Sequence, residues 1–361
     1  MERFFCRASK VTKQRFQISM GTTSAFVFLL ALIAGCAATG EIARPDVKIF
    51  WPPPPLEPRI EYMYTVSSPY DLGITKTWFG KFLDSVFGRE DIGERFVIPH
   101  GVFLGEKGRL LVTDTGNSSV HIFDTEKKDH KRFGEIGDDM FLVSPIGISE
   151  DHEGNIYVSD SALKKIFVCD RDGEYIFSFG DDLQRPTGLA IDADRKMIFV
   201  VDTVGSKVVV YDLKGKELYS FGKNGDQDGE FNYPTHIFLG QDGLVYISDT
   251  LNFRVQAFDI NGQFQFKFGK AGDAWGDMSK PKGIAVDSEG HIYVVDSAFE
   301  TVQIFRKDGK LLLNFGSSGT GPGNFNIPAG IYIDKKDNII ITDSYNRRIQ
   351  VFRYLRGKER G

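Results

Sequence analysis

Apolar and polar positions alternate most regularly between residues 281 and 316, PKGIAVDSEGHIYVVDSAFETVQIFRKDGKLLLNFG. Four short runs stand out there: Gly283 to Val286, His291 to Val295, Thr301 to Phe305 and Leu311 to Phe315. They are broken by turn residues such as Asp287-Ser288-Glu289-Gly290 and Lys307-Asp308-Gly309. Runs of this length with period two, interrupted at Gly and Asp, predict four antiparallel strands joined by tight turns. A single sheet of that kind cannot bury both of its faces, so it requires neighbours.

The neighbours are copies. The opening proline recurs at Pro99, Pro145, Pro186, Pro234, Pro281 and Pro328, in steps of 46, 41, 48, 47 and 47 residues. The second strand ends each time in an acid-hydroxyl pair: Asp114-Thr115, Asp160-Ser161, Asp202-Thr203, Asp249-Thr250, Asp296-Ser297 and Asp343-Ser344. The third strand closes on Phe123, Cys169, Tyr211, Phe258, Phe305 and Phe352, and the fourth on Phe-Gly at Phe133, Phe179, Phe221, Phe268 and Phe315. Four strands per unit at a period in the forties predicts an all-β fold, a six-bladed β-propeller with blades from 99, 145, 186, 234, 281 and 328.

The sixth unit lacks a fourth strand. Residues 59–66, RIEYMYTV, alternate correctly and are expected to supply it, so that the last blade is closed by an N-terminal strand and the propeller runs over 59–354. Closure removes the sheet edges that would otherwise template aggregation. A helical insert is expected over 74–88, ITKTWFGKFLDSVFG, where apolar residues keep helical spacing. Residues 355–361 read as a basic tail.

The pattern P-x-G-I-x-x-D, G-x-I-Y-V-x-D-[ST], N-x-R-[IV]-Q-x-F and F-G resembles the NHL repeat of six-bladed propellers. Arg254-Val255-Gln256-Ala257-Phe258 and Arg348-Ile349-Gln350-Val351-Phe352 match it closely, whereas the first three blades are looser. The resemblance implies the fold and leaves function open, because related propellers serve as lyases, lactonase-like enzymes, RNA readers and interaction platforms.

Residues 1–35 read as a lipoprotein signal peptide: a basic head (Arg3, Arg7, Lys10, Lys13, Arg15), an apolar run at 25–34, then Ile33-Ala34-Gly35-Cys36, which resembles a bacterial lipobox. By that resemblance Cys36 is lipidated, and Ala37-Ala38 after it points to the outer membrane of a bacterial cell envelope. Residues 36–58, with Trp51-Pro52-Pro53-Pro54-Pro55, read as a Pro-rich tether. Of three cysteines only Cys169 remains in the folded body, so no intramolecular disulfide forms. Removing 1–35 takes 5 of 44 basic and 1 of 49 acidic residues, leaving 39 against 48, a net charge of about −9. An acidic body of this kind argues against a nucleic-acid partner.

Candidate chemistry belongs where the channel opens. The loops between blades and those between second and third strands share one face. Its expected ligand- or partner-binding residues are His100, Thr187, His236, Lys282, Lys164, Lys207, Arg254, Arg347 and Arg348. His100 and His236 read as polar residues lining the channel. The alternative makes them zinc ligands or catalytic groups, since Pro99-His100 resembles the Pro-His ligand position of an amidating lyase with this repeat. No third ligand suggests itself for zinc, and the acidic loop Gly225 to Glu230 is too short for a helix-loop-helix calcium site, so no cofactor is expected. The recurring Asp-Ser/Thr pairs read as turn-holding devices. The sequence therefore predicts a non-catalytic, lipid-anchored platform for an envelope protein or polymer. The rival is a lyase or lactonase-like hydrolase using His100 and His236.

Overall fold

The structure, a computed structural model, describes residues 48–75, 94–105, 108–137 and 139–356. Within it lie six antiparallel sheets. Blade one comprises Pro99–Leu104, Arg109–Asp114, Ser119–Asp124 and Asp129–Phe133, and the later repeats follow the same order. First strands of successive blades lie side by side in a ring, the sixth (Pro328–Ile333) against the first (Pro99–Leu104). The expected all-β six-bladed propeller is the observed fold.

Burial explains why the alternation is uneven along each repeat. Second strands such as Ile292–Asp296 and third strands such as Thr301–Phe305 are buried at every position, because each blade packs on both neighbours. Fourth strands such as Phe264–Phe268 lie at the rim and alternate between exposed and covered. Two glycines of the repeat have a steric reason. In Pro-x-Gly, a Cβ on Gly101 would lie 2.2 Å from the Ile146 carbonyl oxygen of the next blade, and one on Gly330 would lie 2.3 Å from that of His100. In the outer hairpin turn, Gly262 adopts φ of +79° with the Phe221 ring of the preceding blade pressed against it.

Closure joins the two ends of the described chain. The strand Ile60–Val66 pairs antiparallel with Arg348–Tyr354, with Ile60 opposite Tyr354 and Val66 opposite Ile349. Its Ile60 and Val66 are fully buried, and each such side chain contributes about 1.5–3 kcal/mol. At the inner end, Thr342 Oγ1 donates to the His100 carbonyl (2.7 Å) and Ser344 Oγ to that of Pro99 (2.7 Å), tying blade six to blade one.

The structure adds a fifth strand to the last blade. Phe50–Trp51 pairs with Glu61 and Ile60, Arg59 N–H donates to the Trp51 carbonyl, and Tyr62 N–H donates to that of Ile49. The Trp51 ring lies 5.8 Å from both Phe315 and Phe352. Residues 50 and 51, which the Pro-rich composition places in a spacer, are thus clasped to the rim, because a Trp beside an apolar seam gains more by burial than by extension into water. The signal peptide, Cys36, residues 36–47 of the tether, nearly all of the 74–88 insert and residues 357–361 lie outside the described residues.

Candidate functional site

The face formed by the interblade loops and the loops between second and third strands is built on six buried aspartates. Each is the acid of an Asp-Ser/Thr pair and is fully buried. Asp114 accepts from Val97 N–H (2.7 Å), Ile98 N–H (2.8 Å) and Gly116 N–H (3.0 Å). Asp296 accepts from Ser279 N–H (2.7 Å) and Lys280 N–H (3.0 Å). The carboxylate therefore joins the loop entering a blade to the loop at the end of its second strand. Their hydroxyl partners act across blades, as when Thr250 Oγ1 donates to the Pro281 carbonyl (2.8 Å). Buried carboxylates with their lone pairs filled by backbone amides are structural groups.

Two of the expected binding residues belong to this scaffold. Arg254 and Arg348 are buried: Arg254 Nε meets Asp249 at 2.7 Å and Arg348 Nε meets Asp343 at 2.7 Å. Their remaining guanidinium donors go to the carbonyls of Asp226, Gln227 and Glu230, and of Thr320, Gly321 and Asn324. Contrary to expectation they offer nothing to a partner, because the planar five-donor fork is already filled. Thr187 is buried too, its hydroxyl 2.8 Å from that of Thr203. Lys164 and Arg347 are exposed at the loop tips, and Lys207 is half-buried.

The channel brings three predicted residues together. His100 of blade one and His236 of blade four face each other across the axis, ring centroids 5.5 Å apart and planes inclined by 15°. Burial and the nearby Lys282 ammonium push the His100 imidazole down to about 3; burial, His100 and Lys282 push His236 well below its usual range. Lys282 is itself lowered to about 8 by burial and by Lys280. The His236 tautomer follows from a relay. Thr250 donates to Pro281, so Thr235 donates to Thr250 (2.7 Å), and His236 Nδ1–H donates to Thr235 (3.0 Å). His236 Nε2 is then a buried lone pair without a partner, and His100 Nδ1 is likewise buried and unpaired. Among the described residues no three His, Cys, Asp or Glu side chains converge on a point where a metal could sit. Below the histidines Tyr332 stacks near Phe103 (4.8 Å) and Phe238 (6.1 Å), filling the far part of the channel.

His236 marks a break in the repeat. Five blades read Pro-x-Gly, and blade four reads Pro234-Thr235-His236. The glycine slot abuts the next blade's backbone, so a histidine there is an asymmetry in an otherwise uniform ring.

The residues missed by reasoning on polar side chains are apolar. Among the described residues fourteen large apolar side chains are exposed, and nine lie in the loops of this face. Val204, Leu251 and Tyr345 occupy the second position after the aspartate, where the other blades carry exposed Gly116, Ala162 and Ala298. Val143, Tyr233 and Ile327 come from the residues just before the blade prolines, and Met140, Phe141 and Trp275 from longer interblade loops. The signal was present as an apolar residue in every tight turn after Asp-Ser/Thr.

Comparison with known proteins agrees with this architecture. Residues 136–226 and 283–354 match the family described as 6-bladed beta-propeller, and residues 96–123 match the NHL repeat. The Protein brain tumor of Drosophila melanogaster is 31% identical over 119 residues, which are 32% of this chain; the match spans 12% of that protein's length. Virginiamycin B lyase from Staphylococcus aureus superposes with a TM-score of 0.53 at 15% identity, over 72% of this chain and 96% of that one. An auxiliary nutrient binding protein from Bacteroides thetaiotaomicron gives 0.56 at 17% identity, over 72% and 69%. At these identities the likeness is one of fold. Strand order, ring closure and sequence matches together make this chain a six-bladed β-propeller built from NHL repeats.

Proposed function

We propose that the protein is a binding platform that presents its interblade-loop face to a protein or polymer of the bacterial cell envelope, held there by lipid on Cys36. One observation carries the reading. The exposed large apolar side chains gather in the loops of one face, and none occupies the hairpin turns of the other. Exposed apolar clusters rimmed by charge are features of interaction sites. The exposed Arg185, Lys280, Lys164 and Arg347 give the same loops a basic rim on an acidic chain, which favours an acidic partner. The lipid attachment rests on the sequence around Cys36.

The test places a photocrosslinking amino acid at Leu251 or Tyr345, and separately at Asp259 or Asp308 in opposite-face turns, in cells expressing the full chain. Adducts confined to the first pair are expected; adducts only from the second pair, or from neither, overturn the platform. Fatty-acid labelling that survives in Cys36→Ala would refute the lipid anchor.

A second reading rests on the unpaired imidazole nitrogens of His100 and His236 beside Lys282. Neutral at physiological pH, they can accept a proton or a hydrogen bond from a small molecule, as a lyase or hydrolase requires. Complementation of a deletion strain by the His100→Ala/His236→Ala protein would eliminate that reading and leave the platform intact.

A further inference from the structure

A second binding place lies on the rim, and the chain itself shows what fits there. Between blades five and six the groove beside the last sheet is filled by the clasp strand Phe50–Trp51, whose Trp51 ring packs on Phe315, Phe352 and Gly323. The corresponding groove between blades one and two is open, with a volume of about 970 Å³ and walls that include Phe133, Phe141, Gly173 and Tyr175.

The correspondence can be followed residue by residue. Phe133 ends the fourth strand of blade one as Phe315 ends that of blade five. Tyr175 lies opposite Cys169 as Tyr62 lies opposite Phe352. Glu174 and Gly173 therefore hold the positions of Glu61 and Ile60, to which the clasp strand pairs. Tyr175–Phe179 is the last strand of its sheet, so its outward backbone groups have no strand beyond them among the described residues. Where the last blade has the Phe352 ring, blade two has the buried Cys169 thiol, and the smaller side chain leaves room in the seam. Met140, Phe141, Tyr175 and Ile176 are all exposed around it, an apolar patch at this one seam.

We infer that the blade-two edge accepts an extended strand of a partner protein whose aromatic side chain enters the groove over Cys169. Backbone pairing to the edge supplies affinity, and the pocket selects a Trp or Phe, the usual division of labour in strand addition. The groove is separate from the interblade-loop face, so it stands whether or not that face binds a partner.

The test uses a fluorescein-labelled peptide of residues 48–56, KIFWPPPPL, as the probe and follows anisotropy with the full-length protein. Saturable binding is expected, weakened at least ten-fold by Cys169→Phe, which installs the residue that four of the other five blades carry there. Phe141→Asp, at an exposed position that leaves the core alone, is expected to do the same should the larger side chain disturb folding. Absence of saturable binding to the wild-type protein overturns the inference, as does equal binding by both variants. Binding seen only after Trp51→Ala would place the peptide at the clasp's own groove and also refute it. Self-association of the chain that Cys169→Phe abolishes would assign the groove to a second copy rather than a partner.

Discussion

The two faces of the propeller use the same residue, aspartate, in opposite ways. In the outer hairpin turns of the opposite face, Asp259 accepts from Asn261 and Gln263 N–H, both at 2.9 Å, and Asp212 from Lys214 and Lys216 N–H at the same distance. Each such turn is satisfied within five residues and surrounds itself with charge. On the interblade-loop face Asp249 instead holds Asn232, seventeen residues earlier, together with Arg254 and Gln256. The carboxylate is buried beneath the loops, so the loop tips are released from a structural duty and carry apolar residues. A surface whose turns hold themselves stays polar, whereas one held from below can be given over to recognition.

That contrast is broken most severely at the buried ion pairs. Arg254→Ala strands the Asp249 carboxylate, already pushed up by burial, and is expected to cost about 3–5 kcal/mol. Asp259→Ala in an opposite-face turn removes hydrogen bonds at an exposed site and should cost about 1 kcal/mol. Denaturant unfolding of both variants checks the difference, and equal losses would dissolve it.

The faces should also differ in their response to acid. His100 and His236 are lowered by burial, so between about pH 6.5 and 3 the unfolded chain binds protons that the folded chain refuses. Stability then falls with falling pH, by up to about 1.4 kcal/mol per pH unit for each. His291, in an opposite-face turn, is raised by its hydrogen bond to Asp287. Its contribution is fully present below the unfolded value and is lost as pH rises through the folded one. Unfolding across this pH range should show a flatter acid limb for His100→Gln/His236→Gln, and a loss confined to the acid side for His291→Gln.

The smallest effect on stability is expected at the loop tips. Leu251→Ser with Tyr345→Ser removes exposed side chains and should change unfolding free energy by no more than about 0.5 kcal/mol. The same change should lower partner crosslinking several-fold. A large shift in melting temperature would mean that these residues pack rather than bind.

How much of this could be read beforehand depends on range. Strands, turns, blade number and the closing strand were legible because each leaves a local mark: period two, a turn dipeptide, a proline at a fixed step. The structural duty of the six aspartates was legible as well, since a device recurring in every blade answers a need of every blade. The clasp strand was hidden by its prolines, which suggested extension without a partner. The burial of Arg254 and Arg348 was hidden because their acceptors are backbone carbonyls 24 to 28 residues away, and carbonyls leave no mark in composition.

By itself, then, the order of residues determined a ring of six near-identical sheets, because strand periodicity and turn chemistry are properties of neighbours along the chain. Only the tertiary structure decided which polar groups remain free at the face. Burial and hydrogen bonding are settled by whatever packs against a residue, and in a closed ring those groups come from other blades and from the opposite end of the chain.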